Sequence, residues 1–409
     1  MKLSLYRTQE VLGTMTYQIV PGNEILERIS KFQKEMEQQS IDGALLTRNV
    51  DIFYYSGTMQ NSFLFIPKKG EPILFVKKSV ERAKEETQLS VEQMTSLKSL
   101  PEKIEKRGFN TEKIGLELDI IPYNNYLRIQ KAFHKSNIID ISNIIRLQRS
   151  IKTEYEIEQL KESAKIVNDA ILELPNILDP EMTELELTAE IERFVRKRGH
   201  IGYIRTRAYN MELVIGMVAA GKSAASPTSF DGPAGGKGLT PAMPQGSGWN
   251  KIGQNQPILI DIAAAFNGYI IDQTRMAVIG ELDKDLEFAY QVSLEILKET
   301  EQNAKPGTLW SEHYQNALKI VKRAGLSDYF MGFKDDQAKF LGHGVGLELD
   351  ELPILAKGLD NPLQKGMVFA IEPKFTFPDK GVIGIENTYV VTDNGLKHLS
   401  FAPENIIKK

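Results

Sequence analysis

No cysteine occurs among the 409 residues. That absence excludes disulfides, thiolate nucleophiles, zinc-finger clusters and iron–sulfur ligation together. Histidine is scarce as well, at five residues, so any metal or acid–base site has to lean on carboxylates. Neither sign of charge dominates: 50 Lys and Arg against 54 Asp and Glu leave a net charge of −4, with no long run of either. Such a balance gives no electrostatic footprint for nucleic acid or an anionic membrane. Runs of about 20 apolar residues are missing, and the first 22 residues hold no apolar run of signal-peptide length. The expectation is a cytoplasmic protein with neither nucleic-acid nor membrane partners. What is present suits soluble domains with substantial cores: 42% hydrophobic and 25% charged residues, in a chain long enough for two or three domains.

From Asn23 to Gln39 the apolar residues Ile25, Ile29, Phe32 and Met36 fall on one face of a helix. Short apolar runs at Gly43 to Thr47, Phe63 to Pro67, Pro72 to Val76 and Ile114 to Leu118 read as strands. Charged helical stretches lie between them at Ser79 to Gln88 and Leu100 to Arg107, so residues 1–150 read as an α/β domain. A boundary near Arg149 is followed by two helix-start signatures, Thr153-x-x-Glu156 and Thr183-x-x-Glu186, that open the second domain, residues 151–409. Residues 180–199 and 306–325 echo each other, both running from Pro to Gly and ending Val, basic, basic, any residue, Gly. Each precedes a strand–loop–strand segment with two carboxylates, Asp261 and Asp272 in one half, Glu372 and Glu386 in the other. That order predicts an internal pseudo-two-fold.

Ile258 to Gly280 is two apolar runs joined at Asn267-Gly268, a strong hairpin signal. A two-residue turn there sets Ala263 opposite Asp272 and Asp261 opposite Thr274. Asp261 and Asp272 then share one face in diagonal positions, with Cβ atoms roughly 7 Å apart. Two like charges among core strands are costly unless something positive lies between them. Arg275 falls on the opposite face of a regular strand, which leaves a cation as the simplest remedy. His343, in Gly342-His343-Gly344-Val345-Gly346, is flanked by glycines that permit close backbone approach. Glu372 ends the run Met367 to Ile371, and Glu386 stands in mid-strand within Val382 to Val390. Four such carboxylates and one imidazole call for two divalent ions. Oxygen donors with one nitrogen and no sulfur favour manganese first, with cobalt, iron or zinc compatible.

In identity and order, Asp261, Asp272 with Thr274-Arg275, Gly342-His343-Gly344, Glu372-Pro373 and Glu386 resemble the dinuclear site of the pita-bread metallopeptidases. Among these, the long N-terminal domain resembles that of the creatinase, prolidase and aminopeptidase P branch. The resemblance implies an α/β N-terminal domain followed by an α+β pita-bread domain, and a homodimeric Xaa-Pro peptidase acting on short peptides. It implies further that Asp272 and Glu386 bridge two ions, that Asp261 completes one and that His343 with Glu372 completes the other. A hydroxide between the ions, about 3.5–4 Å apart, would attack the scissile carbonyl, and Glu372 would pass the proton to the leaving amine.

The chain also departs from that branch. Histidines usual before the first Asp ligand and after the Gly-His-Gly segment are replaced by Pro244-Gln245-Gly246 and Asp350-Glu351, and a usual Arg two residues before the last Glu is Gly384. Asp350, Gln245, His200 and Arg207, with Arg205 beside it, are therefore the candidate substrate-binding residues. The same departures motivate a second reading, a metal-dependent hydrolase or lyase of a small non-proline substrate. The Gly- and Pro-rich stretch Asp231 to Gly248 reads as a loop at the site mouth. Gly216 to Ser223 matches the phosphate-loop pattern, but Pro227 and Pro233 leave no room for the helix such a loop requires.

Overall fold

The computed structural model describes residues 18–409, which divide into two compact units, residues 18–145 and 146–409. The division falls inside a helix, just ahead of the expected boundary after residue 150, because that helix runs on without a break. Most of the N-terminal stretch read as free of a signal sequence lies outside the described residues.

In the first unit, strands β1 (Gly43–Leu46), β2 (Ser62–Pro67), β3 (Ile73–Val76), β4 (Ser90–Gln93), β5 (Lys113–Leu116) and β6 (Asn137–Asp140) form one sheet in the order β4-β3-β2-β1-β5-β6. β1, β2 and β3 pair antiparallel, and the other neighbours pair parallel. Helices α1 (Gly22–Gln38), α2 (Asn49–Ser56), α3 (Val80–Glu86), α4 (Leu100–Lys106) and α5 (Tyr123–Ala132) alternate with the strands, and α6 (Ser142–Ser150) carries the unit boundary. The apolar stripe of α1 is buried as its spacing predicts, with Phe32 and Met36 fully inaccessible. Leu45, Phe65, Phe75 and Leu116 centre the core, each contributing about 1.5–3 kcal/mol through burial.

The second unit opens with α7 (Glu154–Ile177) and α8 (Glu184–Arg196), both started by the predicted capping boxes at Thr153 and Thr183. Strands β7 (Gly216–Ala220), β8 (Ile258–Phe266) and β9 (Tyr269–Val278) follow, then α9 (Lys284–Asn303) and α10 (Trp310–Ala324). The chain continues through β10 (Phe340–Val345), β11 (Leu349–Ala356), β12 (Val368–Ile371), β13 (Lys374–Phe377), β14 (Gly381–Gly384), β15 (Asn387–Thr392), β16 (Gly395–His398) and β17 (Ile407–Lys408). One sheet runs β17-β9-β8-β7, a second β11-β10-β12-β15-β16, and β13 with β14 forms a separate ribbon. Leu259, Met276 and Val278 share one core with Trp310, Phe369, Phe375 and Tyr389, which locks the sheets and helices of this unit together. α8 and α10 occupy the echoed segments, each preceding the carboxylate-bearing strands of its half.

The β8–β9 register is the predicted one: Phe266 faces Tyr269, Ala263 faces Asp272 and Asp261 faces Thr274. Asn267 and Gly268 take φ of 48° and 89°, the positive values a two-residue hairpin turn requires. Glu386 is not in mid-strand. The chain leaves the β13–β14 ribbon and joins the β12–β15 ladder at Ile385-Glu386, so the strand breaks there. Past β7 the phosphate-loop match forms only a three-residue turn, Gly221–Ser223. Lys222 is exposed beside Asp379, so no helix N-terminus is available to hold phosphate.

Candidate metal centre

Four stretches of the second unit bring the acidic residues and His343 together. Asp261 and Asp272 come from the hairpin and His343 from β10. Glu372 follows β12, its N–H donating to the Leu341 carbonyl at 3.0 Å, and Glu386 precedes β15, its N–H reaching the Thr274 carbonyl at 3.3 Å. The glycines around His343 are obligatory. A Cβ at Gly342 would stand 2.1 Å from the Ala370 carbonyl oxygen, and one at Gly344 would stand 2.2 Å from that of Leu352. Donor atoms converge in two groups, Asp272 with His343 and Glu386, and Asp261 with Glu372 and Glu386.

His343 presents Nε2 to the carboxylates, 3.5 Å from Glu372 Oε1 and 3.9 Å from both Asp272 Oδ2 and Glu386 Oε1. Its Nδ1 lies 3.4 Å from Asp350 Oδ1 and 3.3 Å from the Gly344 carbonyl. A carboxylate and a carbonyl on one ring nitrogen fix the tautomer and direct the other nitrogen at a ligand. Asp350 holds φ of 62°, in the left-handed region, and its side chain lines the cleft.

One residue of the centre was not foreseen from the sequence. The Lys374 ammonium lies 2.7 Å from Glu372 Oε2, 3.0 Å from Asp261 Oδ2 and 3.0 Å from Glu386 Oε2, with its side chain fully inaccessible. The second donor group therefore already surrounds a cation. The first is open, and Glu386 Oε1 is a buried oxygen without a hydrogen-bond partner, while its Oε2 accepts from Thr274 and Lys374. That orphaned oxygen, with Asp272 and the directed imidazole, fits a divalent ion.

Burial pushes Asp272 well above the ordinary carboxyl range, and Glu386 and Asp261 push it further. Asp261 and Glu372 are raised by burial too, with Lys374 pulling both back. Burial opposes charge on Lys374, but Asp261, Glu372 and Glu386 outweigh it and hold the ammonium well above its ordinary value. His343 is raised for the same reason: burial opposes its charge, and Asp350, Glu372 and Glu386 prevail.

The other substrate-binding candidates stand elsewhere. His200 is buried with Nδ1 accepting from the Ala265 N–H at 2.9 Å, and burial followed by Arg196 lowers it to about 4, so it is a neutral structural residue. The Gln245 amide donates to the Glu212 carbonyl at 2.7 Å and does not line the cleft. Arg207 lies 3.8 Å from Glu348, and Arg205 accepts at its carbonyl from the Leu349 N–H. Glu348 and Glu351 also meet Arg149, at 2.9 and 2.5 Å, and Lys152 reaches Glu351 at 2.8 Å. This buried network braces β11, the strand that carries Asp350. Arg275 does lie away from the carboxylate face, donating to the carbonyls of Thr274, Glu386, Ala402 and Pro403. Phe230 to Ala234 border the cleft together with Asp261, Asp272, His343 and Glu372, so part of the Gly- and Pro-rich loop stands at its mouth as expected.

A buried cluster of carboxylates around one imidazole, in an α+β domain that follows a smaller α/β domain, defines a hydrolase of the metal-centred class. Comparison with known proteins narrows this. Residues 158–393 match metallopeptidase family M24, and residues 28–151 match the Creatinase/Prolidase N-terminal domain. The Xaa-Pro dipeptidase of Pyrococcus furiosus is 30% identical over 380 residues, covering 91% of this chain and 97% of that protein. The prolidase structure from Pyrococcus horikoshii superposes with a TM-score of 0.78 at 26% identity over 93% of this chain and all of that one. That of the X-Pro aminopeptidase from Thermotoga maritima gives 0.77 at 25% identity, over 93% and 99%. The chain belongs to metallopeptidase family M24: it is a peptidase of the pita-bread fold, and its family implies divalent metal ions. Among the described residues no helix is long and apolar enough to cross a membrane.

Proposed function

We propose that the protein is a metal-dependent Xaa-Pro peptidase whose reacting centre is Asp272, His343, Glu372 and Glu386. The observation that carries this reading is the donor group Asp272, His343 and Glu386, of which Asp272 and His343 line a cleft walled by Leu213, Phe230, Pro233, Phe340 and Leu349. Apolar walls suit a proline ring. A divalent ion held by Asp272, His343 and Glu386, manganese first by donor type, supplies Lewis acidity and lowers the pKa of water.

The chain's own groups do the remaining work. Asp350 orients the His343 ring, and Glu372 Oε1 holds and moves a proton beside it while Lys374 fixes Oε2. Asp231 and Asp350 border the cleft, whereas no Lys or Arg does among the described lining residues. This favours recognition of a substrate's free α-ammonium over its terminal carboxylate, and so peptides longer than two residues. A cytoplasmic location accords with the absence of cysteine. A homodimer is supported by the family resemblance alone.

The test is a substrate panel on manganese-loaded protein. Preferential cleavage of Xaa-Pro dipeptides and tripeptides over Xaa-Ala counterparts is expected, with the tripeptides turned over faster. Equal turnover of Xaa-Pro and Xaa-Ala, or none of either, would favour a small non-proline substrate, the reading that Asp350 and Gln245 first suggested.

A further inference from the structure

Two ions would need both donor groups, and the structure leaves one group open. The three oxygens that Lys374 Nζ touches belong one each to Asp261, Glu372 and Glu386, the full membership of the second group. An ammonium has three donors, and here all three have acceptors. A divalent ion bound by the same carboxylates would take their oxygens at roughly 2.0–2.2 Å and would be forced against the ammonium. We infer that the centre binds one divalent ion per chain, at Asp272, His343 and Glu386, and that the Lys374 side chain takes the place of the second.

The backbone is arranged for this substitution. Lys374 opens β13, two residues beyond Glu372, and pairs across the ladder with Gly384. A Cβ at position 384 would stand 2.6 Å from Lys374 Cα and 2.7 Å from its Cγ, so glycine there leaves the lysine stem its path. The cation on the strand facing Gly384 points into the carboxylates. Lys374 is fully buried, so a rotamer away from the three carboxylates would leave an unpaired charge in the core. Glu386 shows the division within one side chain: Oε2 is committed to Lys374 and Thr274, and Oε1 has no hydrogen-bond partner on the side facing His343.

The experiment is manganese stoichiometry on the chelator-stripped full chain, by equilibrium dialysis with elemental analysis, and the electron paramagnetic resonance spectrum of the loaded protein. Wild type is expected to saturate at one manganese per chain, with the six-line spectrum of an isolated ion. Lys374→Met, refolded or expressed with manganese present, is expected to double the stoichiometry and to show exchange coupling between two ions. Two ions per wild-type chain, a coupled wild-type spectrum, or a Lys374→Met protein still holding one ion would each overturn the inference. Should the variant fail to fold, the wild-type stoichiometry and spectrum decide alone. The inference rests on the proposed metal centre but not on the substrate. Two ions per chain would remove it and leave the proposed function standing, and no bound ion would remove both. One ion in a protein inert toward Xaa-Pro peptides would remove only the proposed specificity.

Discussion

Replacing Glu351 by glutamine should cost the catalytic unit about 3 kcal/mol at neutral pH. Glu351 is buried, which alone would raise its carboxyl, yet Arg149 and Lys152 hold it down at about 2 from an ordinary 4.5. That displacement corresponds to about 3 kcal/mol of preference for the charged form in the folded state. Removing one partner from a buried ion-pair network independently predicts about 3–5 kcal/mol, because the remaining charges lose their compensation. Lys152 would be left facing a neutral amide, and Arg149 would keep Glu348 but lose Glu351. The two tryptophans, Trp249 and Trp310, lie in the second unit and Trp310 is buried, so tryptophan fluorescence follows that unit alone. Thermal melts at pH 7 should show Glu351→Gln lowered by roughly 6–10 °C. Glu281→Gln, which breaks an exposed pair with Lys408, should move the transition by under about 1 °C. The folded pKa of Glu351 is depressed, so its contribution is complete above about pH 4.5 and is lost as pH falls toward 2. The gap between the two proteins should close over that window. A loss below about 1 kcal/mol at pH 7, or a gap that persists at low pH, would refute the reasoning.

His200 and His313 are buried and neutral, each lowered to about 4 chiefly by burial. Between about pH 6.5 and 4 the unfolded chain binds protons at these positions that the folded chain does not. Stability should therefore fall as pH drops through that window, by up to about 3 kcal/mol for each residue. His313→Gln should flatten the slope of stability against pH by about one proton. At Asp350, substitution by alanine removes the carboxylate beside His343 Nδ1 and should weaken manganese binding about 10- to 100-fold by equilibrium dialysis. Asp350→Asn tolerates the positive φ and can still accept from the ring, so it should recover part of that loss.

The hairpin was readable in the sequence down to its pairing partners because Asn267-Gly268 fixes the turn, and a two-residue turn fixes every pair that follows. The starts of α7 and α8 were readable for a similarly local reason, the reciprocal bonds of Thr153 with Glu156 and Thr183 with Glu186. Elements without a local signature were not. β4 and β6 are short, half-exposed edge strands with no apolar alternation, and α2 is rich in β-branched and aromatic residues that do not mark a helix. The pairing of Arg149 and Lys152 with Glu348 and Glu351 joins residues about 200 positions apart, beyond the reach of any periodicity. Lys374 was within reach. A positive group among the carboxylates was expected, and alternation along a strand places the residue two beyond Glu372 on the face of Glu372. Arg275 lies only three residues beyond Asp272, but the same alternation sends it to the other face. Gln245 and His200 show the opposite limit: a position matched by order along the chain says nothing of where its side chain points, and both are held by backbone partners away from the cleft.

The most direct test of the central claim is hydrolysis of an Xaa-Pro tripeptide by the chelator-stripped protein with manganese added back, for wild type beside Asp272→Asn. The account predicts no turnover without metal, activity restored in wild type by manganese, and a loss of at least about 1,000-fold in Asp272→Asn at saturating metal. Turnover that survives removal of the metal, or that Asp272→Asn leaves intact, would contradict it.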